Sequence, residues 1–333
     1  MGTAFAVVGI GVAAAALAKA ERKRRKRRDG ARPRSELQHR TLEQIDLAIA
    51  LLEERRDVPP QRTIHETRKA LKRARALVRL QRSALGPKRF KRNNTALRLA
   101  GRRLASARDA EVVVAALDAL IEQQPKRLAR SAGVAKLRGR LLAESEQAQS
   151  HTRHGAQVRG IVLEELRATR RDLERWQPVQ SDRKTARQGL NAIYRQGRRR
   201  MRRARKAGKT TGASAKASAK AGIKASAKSS AALHDWRKRA KDLRYCAEAL
   251  GLRKLAKRAD RLGETIGEEH DLWLLARCVQ RQRKCFKGDR AAHKELQRQI
   301  ARRRRRLRRR ALELGRELYR EPPKRFVRRW LAS

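Results

Sequence analysis

Two stretches of the chain, 64–80 (IHETRKALKRARALVRL) and 233–250 (LHDWRKRAKDLRYCAEAL), carry one pattern of side chains, and any fold must accommodate it twice. His65 and His234 are each followed by Arg at +3 (Arg68, Arg237), Lys at +4 (Lys69, Lys238), Lys at +7 (Lys72, Lys241) and Arg at +10 (Arg75, Arg244). At roughly 100° per residue these five positions span an arc of about 120° on a helix. Each stretch is therefore expected to be a helix with a cationic stripe. Ile64, Leu71, Ala74 and Val78 in the first copy, and Leu233, Ala240, Leu243 and Ala247 in the second, form an apolar stripe beside it at the same period. One face can be buried while the other presents an ordered row of donors.

A polyanion is the partner that composition implies. The 333 residues include 89 Lys and Arg against 33 Asp and Glu, a formal net charge of +56. Self-repulsion on that scale opposes compaction, so bound or atmospheric anions are expected to relieve it. A hydrophobic content of 40% still suffices for cores, in one large or two medium domains. Cys246, Cys278 and Cys285 lie among apolar helical residues without metal-ligand spacing, which fits a reducing cytoplasm.

Residues 1–34 read as a separate tail, an uncharged Ala/Gly/Val stretch followed by ERKRRKRR. It is short for a spanning helix and lacks the basic start of a secretory signal, so a peripheral helix or disordered tail is expected ahead of membrane contact. Residues 35–206 read as a first helical unit. Helices are expected over 35–54, from a Thr63/Glu66 capping box to Gly86-Pro87, over 88–106, from Asp109 to Gln124, and over 126–149, 156–176 and 182–206. Residues 207–230 (AGKTTGASAKASAKAGIKASAKSS) read as a flexible cationic linker, or as a segment that turns helical on an anion. Residues 231–333 form the second unit, with helices over 231–250, 252–266, 271–286 and 291–318, and a short end helix after Pro322-Pro323. No strand-like alternation appears in the first half.

The repeat continues past the key helices. Leu85-Gly86 corresponds to Leu250-Gly251, and Gly101, Leu104, Arg108 and Asp109 match Gly263, Ile266, His270 and Asp271 in identical internal spacing. Two related helical units follow. Each Asp can cap the helix that follows it or reach back to a cation on the key helix. Trp236 and Trp273 have apolar neighbours at helical spacing and are expected in the core.

H-x-x-R-K-x-x-K-x-x-R in both halves, the R-D or H-D pair downstream, the Tyr194-Arg195-x-Gly197-Arg198-Arg199 segment and the P-K-R-F ending together resemble the CHAD family, the conserved histidine α-helical domain, over roughly 35–330. The resemblance implies an all-α fold of two tandem four-helix bundles related by a pseudo-twofold, with a basic central groove or pore. It also implies binding of inorganic polyphosphate and association with polyphosphate granules in the cytoplasm. Carried over by position, the binding residues are His65, Arg68, Lys69, Lys72, Arg75, His234, Arg237, Lys238, Lys241 and Arg244. Further anion contacts fall on Arg79, Arg102, Arg195, Arg198, Arg199 and Arg325.

Elementary chemistry is compatible with that implication. A bare phosphate polymer offers only charge, acceptor geometry and spacing, and fixed rows of Arg, Lys and His can read all three. A solvated basic face is the ordinary reading of one such helix, but five matched offsets in a second helix favour binding. The arginine run 302–310 is either a second anion surface or an exposed face. Nonspecific binding of a duplex backbone is the rival, since only 3% of residues are aromatic and none interleaves with the stripes to stack bases. With no P-loop, Gly-rich dinucleotide turn, H-E-x-x-H or E-x-E-x-K signature, neither catalysis, a cofactor nor a metal is expected. Oligomeric state leaves no mark in the sequence.

Overall fold

The computed structural model describes residues 35–56, 58–104, 108–123, 128–153, 156–214 and 219–331, and these residues form eleven α-helices and no strand. They are α1 (Glu36–Leu52), α2 (Pro60–Leu80), α3 (Arg82–Arg103), α4 (Arg108–Gln123), α5 (Ala132–Arg153), α6 (Ala156–Glu174), α7 (Asp182–Ser214), α8 (Ala219–Ala249), α9 (Arg253–Arg281), α10 (Arg290–Leu318) and α11 (Pro323–Trp330). A 3-10 turn, Arg283–Phe286, links α9 to α10. The fold is all-α. The N-terminal tail, with its expected membrane or peripheral contact, lies outside the described residues.

The described residues build three apolar cores. In the first, Ile45, Ala48 and Leu52 of α1 meet Leu71, Ala74 and Val78 of α2, Leu97 and Ala100 of α3, and Val162 and Leu166 of α6. The second gathers α7 to α11 around Trp236, Tyr194 and Leu243, and also takes Ala76, Leu77 and Leu80 from α2. α2 thus buries two faces, one in each core. The third joins Val113, Leu117 and Leu120 of α4 and Leu137 of α5 to Leu272, Leu275 and Val279 of α9 and Leu296 and Ile300 of α10. Two helices of the first half, α4 and α5, therefore pack on the far ends of two helices of the second.

Several boundaries differ from expectation for identifiable reasons. α2 starts at Pro60, whose missing N–H costs nothing at the first helical position, so Thr63 lies inside the helix and caps nothing. Its hydroxyl instead turns back toward the carbonyls of Val58 and Pro59, and Glu66 pairs with Lys69. α3 breaks at Gly86 (φ 71°, ψ 166°), with Pro87 restarting the helix, and Gly251 takes the same positive φ at the matching place after α8. α9 runs unbroken from Arg253 to Arg281, so Asp271 sits in mid-helix and cannot cap. The stretch expected as a flexible linker is helical up to Ser214 and again from Ala219.

Ser35 caps α1, accepting from the Gln38 amide at 3.2 Å, while the carboxylate of Asp182, first residue of α7, accepts from the Glu36 amide at 2.7 Å. The starts of α1 and α7 are thereby tied together. Among the described residues no helix is long and apolar enough to cross a membrane.

Candidate functional site: paired cationic stripes

α2 and α8 touch where their apolar flanks meet. The Cys246 thiol points to the Ala76 carbonyl at 3.3 Å, and these residues stand twelve and eleven positions after their histidines. Beside this crossing Asp242 of α8 receives Arg79 of α2, whose Nη1 donates to both carboxylate oxygens at 2.7 and 2.6 Å, and also Arg239 at 3.1 Å. Arg79 is thereby committed to joining the halves. Arg75, the last member of the first stripe, donates to Asn94 of α3 at 3.1 Å. Burial first, then the nearby Arg79, pushes its pKa down to about 10, with Arg239 and Arg98 adding to the effect and Asp242 opposing it.

The remaining first-stripe residues lie toward the start of α2. His65 and Arg68 are half-buried, Lys69 pairs with Glu66 at 2.9 Å, and Lys72 is exposed. Their stems rest on the part of α2 that packs into the first core through Ile64, Ala70, Leu71 and Ala74, whereas the helix is buried on a second face only at Ala76, Leu77 and Leu80.

The second stripe is laid down on α9. Arg237 donates through Nε to the Gly263 carbonyl at 3.2 Å. A Cβ at Gly267 would come within 2.8 Å of Nη2 of Arg237, and one at Gly263 within 3.1 Å of Cε of Lys241. These two glycines form the bed on which both stems lie. Lys241 reaches Asp260 at 3.1 Å and also Glu264, Arg244 reaches Asp260 and, at 2.7 Å, Glu248, and exposed Lys238 pairs with Asp235 at 3.3 Å.

His234 lies against His270 of α9, ring centroids 4.4 Å apart, and His270 stacks on Trp273, over which Arg277 is placed at 5.1 Å. Burial first, then His270, Lys238 and Arg237, push the His234 pKa down to about 4. The imidazole is therefore neutral at pH 7, and its Nδ1 has no hydrogen-bond partner among the described residues. Trp273, expected in the core, is instead half-buried in this ladder, whereas Trp236 is fully buried.

Of the outer cations, Arg195 and Arg199 are exposed on α7, Arg198 is half-buried near Tyr194, and Arg102 is exposed on α3. Arg325 lines a cleft of about 520 Å³ with Arg258, Arg320 and Arg329, where α11 meets α9 and α10. The arginine run of α10 divides. Arg304 and Arg308 turn inward to Glu269, while Arg302, Arg305 and Arg306 face a groove beside the end of α4. Sequence reasoning passed over Asp242, Asp260, Glu264 and Arg98. Extending the Gly101/Gly263 match along α3 and α9 brings out the last three, because Arg98 and Arg102 fall opposite Asp260 and Glu264.

A family model described as the CHAD domain matches residues 42–280, from α1 through almost all of α9. No curated protein matches the chain.

Proposed function

The chain belongs to the CHAD domain family, and from that membership we propose that it binds inorganic polyphosphate, without turning it over, at or near polyphosphate granules. The observation that carries the reading is that the two cationic rows ride on α2 and α8, the helices that meet where the halves are joined. Rows fixed to one rigid body present donors at set intervals, which is what a polymer of identical phosphates can recognise. The contact between nearly equivalent positions, Ala76 and Cys246, supports a pseudo-twofold relation of the halves and a shared basic groove between them. Arg supplies forked donors, Lys a mobile charge, and His234 a neutral imidazole that an adjacent phosphate would favour in its protonated form.

Labelled long-chain polyphosphate at physiological salt is the test. Replacing Arg68, Lys72, Arg237 and Lys241 together by Gln is expected to weaken binding by at least about tenfold more than replacing Lys216, Lys220, Lys224 and Lys228, for the same loss of charge. Equal losses would reduce the site to bulk charge. Displacement of the label by equal phosphate equivalents of duplex DNA would favour the nucleic-acid reading instead, and release of phosphate or shortened chains that His65→Ala abolishes would make the protein an enzyme.

A further inference from the structure

We infer that the two halves are unequal in how they meet the polyanion: the first, on α2 and α3, is the more strongly electropositive, anion-gripping half, and the second, on α8 and α9, is countered by its own carboxylates at the matched positions. The inference rests on the polyphosphate reading above and adds a direction to it.

The charge behind each stripe differs at matched positions. Register from Gly101 to Gly263 places Arg98 where the second half has Asp260, and Arg102 where it has Glu264. That register also agrees with the contacts. Arg244 pairs with Asp260, while its counterpart Arg75 lies close enough to Arg98 for that guanidinium to disfavour its charged form. In one half the row faces two carboxylates; in the other the same places add two guanidinium groups.

The steric bed differs as well. Gly263 and Gly267 let the Lys241 and Arg237 stems lie flat against α9, whereas a Cβ at Gly101 would meet nothing within 4 Å. The second row is both neutralised and pinned. For a phosphate chain to use Lys241 it must displace Asp260 and Glu264, whose side chains are 32% and 66% exposed and repel it. No such carboxylate occupies positions 98 and 102. Screening weakens each surface pair, so the contrast comes from the sum, a swing of four charges between matched pairs of positions.

Three variants of the full chain decide the matter, each checked for helicity by circular dichroism and titrated with labelled long-chain polyphosphate. Arg98→Asp/Arg102→Glu, which copies the second half's acids into the first, is expected to weaken binding by about tenfold or more. Asp260→Asn/Glu264→Gln is expected to strengthen it several-fold. Glu122→Gln/Glu146→Gln, which removes two exposed carboxylates from α4 and α5, is expected to leave it within about twofold, as distant screened charges should. If the first variant binds like wild type, or the second no better than the third, the halves are equivalent and the inference falls while the functional reading stands. Wild type that does not bind polyphosphate removes both.

Discussion

His234 shows how placement rewrites the chemistry of one side chain. Read from spacing it is one more cationic donor, but burial, and after it the neighbouring His270, Lys238 and Arg237, push its pKa down to about 4 from the usual 6.5. The sign follows from linkage. Below pH 6.5 an unfolded chain takes up the proton first, so this residue costs stability progressively as pH falls toward 4 and nothing above neutrality. A bound phosphate acts the other way by favouring the protonated ring, so polyphosphate affinity should rise as pH falls from 7 to 5. His234→Gln is expected to flatten that rise, measured as the ratio of dissociation constants at the two pH values, and an unchanged ratio would remove His234 from the contact. The offset count alone located this residue, because helical geometry turns spacing into a face. The count does not itself bring in His270, 35 residues on; the downstream H-D pair of the repeat marks that residue, and the helix reversal lays the two rings together.

Among elements, helix type and apolar faces were legible because period 3.6 survives the heavy charge, as Leu71, Ala74 and Val78, and Leu233, Ala240, Leu243 and Ala247, are all buried. What escaped was the second buried face of α2, where Ala76, Leu77 and Leu80 join another core among the arginines, and the fusion of two expected helices into α9. Near His270-Asp271 only Gly267 weakens the helical pattern, and in α9 its missing Cβ makes room for the Arg237 stem rather than for a turn. Glycines mark where elements need special geometry. Gly86 has backbone angles that are essentially closed to other residues, and a Cβ at Gly189 of α7 would collide with the Leu80 carbonyl at the end of α2. Gly86→Ala and Gly189→Ala are each expected to lower stability by about 1–3 kcal/mol in urea unfolding. Gly139→Ala, at an open helical position, should be neutral or mildly stabilising.

At the scale of the whole molecule, a chain of net charge +56 has to stay folded, and two of its buried carboxylates sit at joints between helices. Glu269, 1% exposed, binds Arg304 and Arg308 and so pins α10 to α9. Asp242, 11% exposed, gathers Arg79 and Arg239 where the halves meet, with Arg75 close by. Asp242→Asn would leave those guanidinium groups facing one another with no counter-charge, and a loss of about 3 kcal/mol is expected by urea unfolding. Asp118→Asn, which disturbs an exposed pair with Arg138, should change nothing measurable. Composition announced the excess charge but not this economy, because the acids lie far in sequence from the arginines they hold: Asp242 is 163 residues from Arg79.

Among the described residues the hairpin of α4 and α5 packs on the outer ends of α9 and α10 and on the 3-10 turn that links them. The repeat is thus not a pair of beads on a string, because each copy borrows a partner surface from its twin: the first in this third core, the second where it takes in Ala76, Leu77 and Leu80 of α2. Neither copy, cut free, keeps every surface it needs, and the first would lose the seat of its own hairpin. The two copies consequently hold or fail together, with no part of that mutual clasp that could be trimmed or exchanged alone.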